Sequence, residues 1–139
     1  SPSGLTKDVA KGYDVEIRLY TIIYKVVEEI ELAMKGMLDP EFEEKSVGEA
    51  EVLQIFKFSK VGTIAGCMVR EGLVKSNSLV RVIRDGLVIH EGKISSLQKE
   101  KASVKEMKKG FECGITLDNF DDLKEKDIIS CYEVVEVKR

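Results

Sequence analysis

The sequence has one histidine, three widely spaced cysteines and no long apolar run, and each shortage removes a class of function. A catalytic triad needs a histidine as its base. The only candidate, His90, falls mid-strand, four residues after a turn, and reads as a structural or surface residue. With no second histidine and no Cys-x-x-Cys, no zinc ligand set is expected. The odd number of cysteines (Cys67, Cys113 and Cys131) argues against a disulfide framework and for a reducing compartment. Nothing in the sequence brings one of them to His90 as a nucleophile. Cys113, beside Gly114, reads as a small core residue, although nearby lysines would also suit an activated thiol. There is no Gly-x-x-x-x-Gly-Lys-Ser/Thr, so nucleotide hydrolysis by this chain is not expected. No segment approaches the roughly 20 apolar residues of a membrane span. The first residues, Ser1-Pro2-Ser3-Gly4, lack the basic and apolar regions of a signal peptide and read as a tail. No cofactor is called for.

What remains is a 139-residue chain, 43% hydrophobic and 34% charged, enough for one domain and an appendage. Its net charge of −3 hides an uneven distribution. Residues 1–56 carry 6 basic and 12 acidic side chains, 57–109 carry 12 and 5, and 110–139 carry 4 and 8. A basic middle suits a polyanionic partner, and an ordinary mixed surface fits the same counts.

Residues 1–12 are expected to form a flexible tail. Val15 to Tyr20 alternates apolar and polar residues and predicts a short strand, with Thr21 as the N-cap of a helix running to Gly36. Ile23, Val26, Val27, Ile30, Ala33, Met34 and Met37 give that helix one apolar stripe. Residues 13–46 thus form a strand, a connector helix and an acidic, turn-like linker from a preceding domain, so the chain reads as part of a longer protein. From residue 47 to 139 the pattern becomes β-rich. Strands are predicted at Glu51–Phe58, Thr63–Arg70, Leu79–Arg84, Leu87–Leu97, Phe111–Leu117 and Ile128–Val137. Asp85-Gly86 between two of them is a hairpin signal, because a type I′ turn needs positive φ at both central residues. The expected fold is mainly β: a small closed antiparallel β-barrel preceded by a short strand and one amphipathic helix.

The segment Gln98–Lys109 reads as a loop holding Lys99, Lys101, Lys105, Lys108 and Lys109. Lysines bind nucleic acid by displacing condensed counterions. The loop has no aromatic residue to stack on a base; Glu100 stands inside it and Phe111 lies only at its end. A solvated basic loop and an RNA-contacting loop fit these residues equally.

The order of the motifs resembles the C-terminal end of bacterial-type translation initiation factor 2. Val15-Glu-Ile-Arg-Leu-Tyr-Thr-Ile-Ile-Tyr24 looks like the last strand and helix start of that family's third domain, and Ala33-Met-Lys-Gly-Met-Leu-Asp-Pro40 like the end of its connecting helix. Gly48-Glu-Ala-Glu-Val52, Ile64-Ala-Gly-Cys67, Val80-Arg-Val-Ile-Arg-Asp-Gly86, Glu91-Gly92, Ser96-Leu97, Val104-Lys-Glu106 and Gly110-Phe-Glu-Cys-Gly-Ile115 look like its final domain. The resemblance implies a barrel similar to the second domain of elongation factor Tu, binding the formylmethionyl end of initiator tRNA on the ribosome. It also implies a monomer in the cytoplasm or an organellar matrix, with no membrane partner and a GTPase centre upstream. The surface it implies holds Gln98, Lys99, Glu100 and Lys101, then Phe111, Glu112, Cys113 and Gly114, with Cys67 nearby. Lysines would hold phosphates, and Gly114 would admit the terminal group to the backbone. Cys113 would line a pocket for methionine and formyl, with a charged ammonium excluded from it. Two positions depart from the family pattern: Glu100 replaces an aromatic residue and Leu53 replaces an arginine. A spacer barrel that only docks on the ribosome or on neighbouring proteins is the rival reading.

Overall fold

The computed structural model describes residues 4–138, with side chains from Asp8 to Lys138. The chain divides into two compact units, Ser1–Glu41 with Val137–Arg139, and Phe42–Glu136.

The described part of the first unit is dominated by one helix, α1, Gly4–Gly36. The predicted strand at Val15–Tyr20 is therefore helical, and so are residues 4–12 of the expected tail; Ser1–Ser3 lie outside the described residues. A strand must find a second strand for its amides, whereas a helix satisfies them internally. No strand of this unit is present among the described residues to pair with 15–20. The alternating pattern also serves a helix, because Val15 and Leu19 continue the stripe of Ile23, Val26 and Ile30 at a spacing of three or four. Thr21 is not a cap: its hydroxyl donates to the Ile17 carbonyl at 3.0 Å, one turn back. The helix ends at Gly36, as expected, before Asp39-Pro40. Its apolar side chains are exposed, from Val27 at 47% to Tyr24 at 71%.

The second unit contains eight strands: β1 Phe42–Phe58, β2 Gly62–Lys75, β3 Leu79–Arg84, β4 Leu87–Lys99, β5 Ala102–Ser103, β6 Glu106–Lys108, β7 Glu112–Leu117 and β8 Ile128–Glu136. Six of them pair antiparallel in the order β1–β8–β3–β4–β7–β2, and β2 pairs with β1 again, so the sheet closes into a ring. This is the expected barrel architecture. β1 begins earlier than predicted, since the acidic stretch after Glu41 is strand rather than turn. Its exposed Glu43 and Lys45 face water while its backbone pairs with β8 from Phe42↔Glu136 onward.

Alternation along the strands sends Ala50, Val52, Ala65, Val69, Val74, Val80, Val82, Ile94, Ile115 and Ile129 inward, each at most 1% exposed. Small and β-branched residues suit the narrow interior of a six-stranded ring. β1 serves both β8 and β2, and at the handover a Cβ on Gly48 would run into the backbone of Leu73. The β3–β4 turn is the predicted one, with Asp85 at φ 50° and Gly86 at φ 78°. Asp127, 1% exposed, ties the β7–β8 connection down: it accepts from Arg84 Nε and Nη2 and from the Lys124 amide, all at 2.9 Å.

Candidate nucleic-acid interface

The pairing of four neighbouring strands places Gln54 (β1), Gly66 (β2), Gly114 (β7) and Gln98 (β4) in one transverse row. The row lies on the outer face, because its neighbours Cys67, Cys113 and Leu97 point into the core. With no side chains on the two central residues, the row is a floor of open backbone between two amides. It forms the base of a cleft of about 510 Å³.

The walls follow from the same register. On one side lie Phe56 and Ile64, which are partners across β1 and β2. They lean over the floor: a Cβ on Gly66 would meet Phe56 Cε2 at 3.3 Å, and one on Gly114 would meet Ile64 Cγ2 at 3.3 Å. On the other side lie Glu112, two residues before Gly114, and Glu100, two residues after Gln98. β4 and β7 run antiparallel, so both carboxylates fall on the same side of the row. Neither has an ion-pair partner among the described residues. Lys99 also lines the cleft, its Nζ held 4.3 Å over the ring of Phe111.

The expected loop Gln98–Lys109 is largely ordered into strands. β4 runs to Lys99, and Glu100 and Lys101 make a two-residue turn closed by the pair Lys99↔Ala102. Their φ values of 51° and 70° are those of a type I′ turn, held here without asparagine or glycine. Val104 packs on the core and Met107 is buried, which pulls the rest of the segment onto the barrel. β6 then pairs with Leu73–Lys75 at the far end of β2. The five lysines therefore do not make one grip. Lys99 and Lys101 lie at the cleft, whereas Lys105 and Lys108 flank or belong to β6, and Lys109 approaches Glu71 at 3.7 Å.

Of the nine residues named from the sequence, seven line the cleft: Cys67, Gln98, Lys99, Glu100, Glu112, Cys113 and Gly114. Lys101 sits at the turn beside them, and Phe111 reaches the site through Lys99. Gln54, Phe56, Ile64 and Gly66 were not anticipated as site residues; the motif Ile64-Ala-Gly-Cys67 held two of them, but only strand register shows that they face Gly114. Leu53 is exposed together with Gln54 because the pairing shifts between Val52 and Gln54.

The thiols are free and buried. Burial pushes Cys113 up to about 11, and burial with the neighbouring thiols Cys113 and Cys131 raises Cys67 well above the ordinary range. Cys67 and Cys113 form an inert, apolar edge of the site rather than nucleophiles. His90 stands outside the cleft, stacked on Phe120 at 4.2 Å, which suits its structural reading. Among the described residues, no cluster of His, Cys, Asp and Glu could hold a metal ion. No helix among them is long and apolar enough to cross a membrane.

No family model matches the chain. Curated relatives do: translation initiation factor IF-2 of Staphylococcus aureus strains JH9, Newman and N315 is in each case 55% identical over 138 residues, 99% of this chain. The chain spans about one fifth of the length of those relatives, since the match covers 20% of each. With that identity carried along nearly all of its residues, the chain belongs to the translation initiation factor IF-2 family, as a segment of it.

Proposed function

We propose that this chain binds the formylmethionyl acceptor end of initiator tRNA on the ribosome, with the cleft over Gly66 and Gly114 as the contact surface. The observation that carries the reading is the convergence of seven candidate residues, from β2, the β4 turn and β7, on one cleft with a side-chain-free floor. A single-stranded RNA end offers what such a floor accepts: a flat or extended group that approaches the backbone closely. Phe56 and Ile64 offer an apolar wall for an aminoacyl side chain, and Lys99 and Lys101 offer phosphate contacts at the rim. The role asks for no chemistry by this chain, and it places the protein in the cytoplasm or an organellar matrix.

The test is a titration of labelled formylmethionyl-tRNA at two salt concentrations, with random RNA as control. Specific, salt-sensitive binding that Lys99→Ala or Lys101→Ala weakens supports the reading. Binding no stronger than to random RNA refutes it and leaves the barrel as a docking spacer.

A further inference from the structure

The apolar wall of the cleft continues beyond it. The pairing of β1 with β8 ends at Glu51, and that of β2 with β7 begins at Ala65. From Phe56↔Ile64 outward, through Lys57↔Thr63 and Phe58↔Gly62, β1 and β2 pair only with each other, and a turn at 59–61 closes the hairpin. Ile55 packs on the core, so alternation turns Phe56 and Phe58 out of one face. Their side chains are 42% and 52% exposed. Phe56 lines the cleft, whereas Phe58 lies past it, across from Gly62, which offers no side chain to cover the ring.

The charge around these rings is of one sign along the chain. Residues 52–69 hold no acidic side chain. Lys57 and Lys60 are exposed, and neither has an ion-pair partner among the described residues. Lys57 pairs with the inward-facing Thr63 and so leaves β1 on the face opposite Phe58. Lys60 stands in the turn itself. The carboxylate nearest the hairpin is Asp121, which is tied to Thr63: the Thr63 hydroxyl donates to the Asp121 carbonyl at 3.1 Å, and the Thr63 amide lies 3.5 Å from Asp121 Oδ1.

We propose that the β1–β2 hairpin tip is a second RNA contact, in which Phe58 stacks on a base of the unpaired strand leading into the aminoacyl end and Lys60 meets a phosphate of that strand. It rests on the acceptor-end reading above and extends that surface outward. From Gly66 in the floor to Gly62 is four residues of β2, about 13 Å. At roughly 3.4 Å per stacked nucleotide, an RNA strand covers that distance in about four nucleotides. A shorter RNA lies in the cleft alone and meets only the lysines there. An aromatic ring stacks on any base, because every base has a π-face. Phe58 brings no hydrogen-bonding group, so the contact requires a base without selecting which one. Covering a half-exposed ring also removes apolar surface from water.

The experiment titrates the whole chain with two single-stranded RNAs ending in formylmethionine, about three and about six nucleotides long. The longer one is also made with its outer nucleotides abasic. Phe58→Ala should weaken the longer RNA at least about fivefold and leave the shorter one unchanged, while Phe58→Trp should keep wild-type affinity. The abasic RNA should bind the wild type more weakly by a similar factor and be indifferent to Phe58→Ala. Lengthening the RNA should steepen the salt slope by about 0.7, and Lys60→Ala should remove that increment. If Phe58→Ala leaves the longer RNA unaffected, as expected of a tip that docks on protein, the inference is overturned. A loss shared equally by both RNAs, or one that persists with the abasic RNA, overturns it too; in each case binding of the shorter RNA leaves the acceptor-end reading standing. Failure of the shorter RNA to bind above a random RNA of equal length overturns that reading and the inference with it.

Discussion

How steeply binding falls with salt should report two lysines, not five. For single-stranded nucleic acid the logarithm of the binding constant falls with the logarithm of salt at a slope of about −0.7 for each phosphate neutralised. If Gln98–Lys109 were one basic loop, its five lysines would give a slope near −3.5, and affinity would fall roughly 130-fold between about 50 and 200 mM salt. The structure leaves Lys99 and Lys101 at the cleft and carries the others away. From Gly66 in the floor to Leu73, where β6 pairs, is seven residues of β2, about 23 Å. A short single-stranded acceptor end lying in the cleft then meets two lysines, for a slope near −1.4 and a loss of only about sevenfold over the same range. The assay is a fluorescence titration of such an RNA at four or more salt concentrations, roughly spanning that range. Lys99→Ala should flatten the slope by about 0.7, and Lys105→Ala with Lys108→Ala should not change it. A wild-type slope steeper than about −3, or one that the Lys105 and Lys108 substitutions flatten, would falsify the division of the lysines.

Three further outcomes test the fold. Gly48→Ala drives a Cβ into the Leu73 backbone and should cost at least about 3 kcal/mol in urea unfolding. Gly86→Ala, at positive φ with no atom nearby, should cost only about 1 kcal/mol, so the opposite ranking would contradict the packing at the β1–β2 handover. Burial alone would raise Asp127, but the bonds from Arg84 and Lys124 hold it below its ordinary 3.8. Its folded-state value is the lower one, so its contribution is complete above the unfolded value and is lost as pH falls through the folded value. Melting temperature followed down from pH 5 should therefore fall less steeply in Asp127→Asn than in the wild type, and parallel curves would count against the pair. Finally, the three cysteines should resist alkylation at neutral pH in the folded protein and react fully in urea, as mass spectrometry would read. Rapid labelling of native Cys67 would show that it is not sealed in the core.

All six principal strands of the barrel were legible in the sequence because one face of each is buried. That enforces period-two alternation, and turn residues such as Asp85-Gly86 and Val61-Gly62 mark their ends. Two of the misreadings have separate causes. Val15–Tyr20 has a pattern compatible with both a helix and a strand, and the choice depends on whether a pairing partner exists, which no local pattern encodes. Gln98–Lys109 looked like a loop because its lysines are exposed. Its structure comes from two side chains, Val104 and Met107, that pack on the core, together with backbone pairing to β4 and β2.

The site was half legible for a related reason. Its residues come from β1, β2, β4 and β7, and no single motif spans them. β2 and β7, the central pair, are in unbroken register from Ala65↔Ile115 to Met68↔Glu112. The outer pairs slip beside the row, β1 between Val52 and Gln54 and β4 between Ile94 and Ser96, and β1 shifts against β2 once more farther off, between Glu49 and Ala50. An extra residue in a strand bends it and re-aims the side chains that follow. After each slip the next outward amide in the row is a glutamine, Gln54 on one flank and Gln98 on the other. If Ser95 took a regular place in the pairing instead of bulging, alternation from Ile94 would turn Gln98 inward and Leu97 outward. The cleft would then lose an amide from its floor and the core would gain an unpartnered one. The two slips are therefore what make a cleft out of an otherwise regular barrel wall. Deleting Ser95 should leave Ile94 and Ser96–Gln98 in one-to-one pairing with Leu117–Gly114 and keep Gln98 in the floor, as should Ser95→Ala; loss of the cleft in the deletion variant would contradict the assignment of Ser95 as the extra residue.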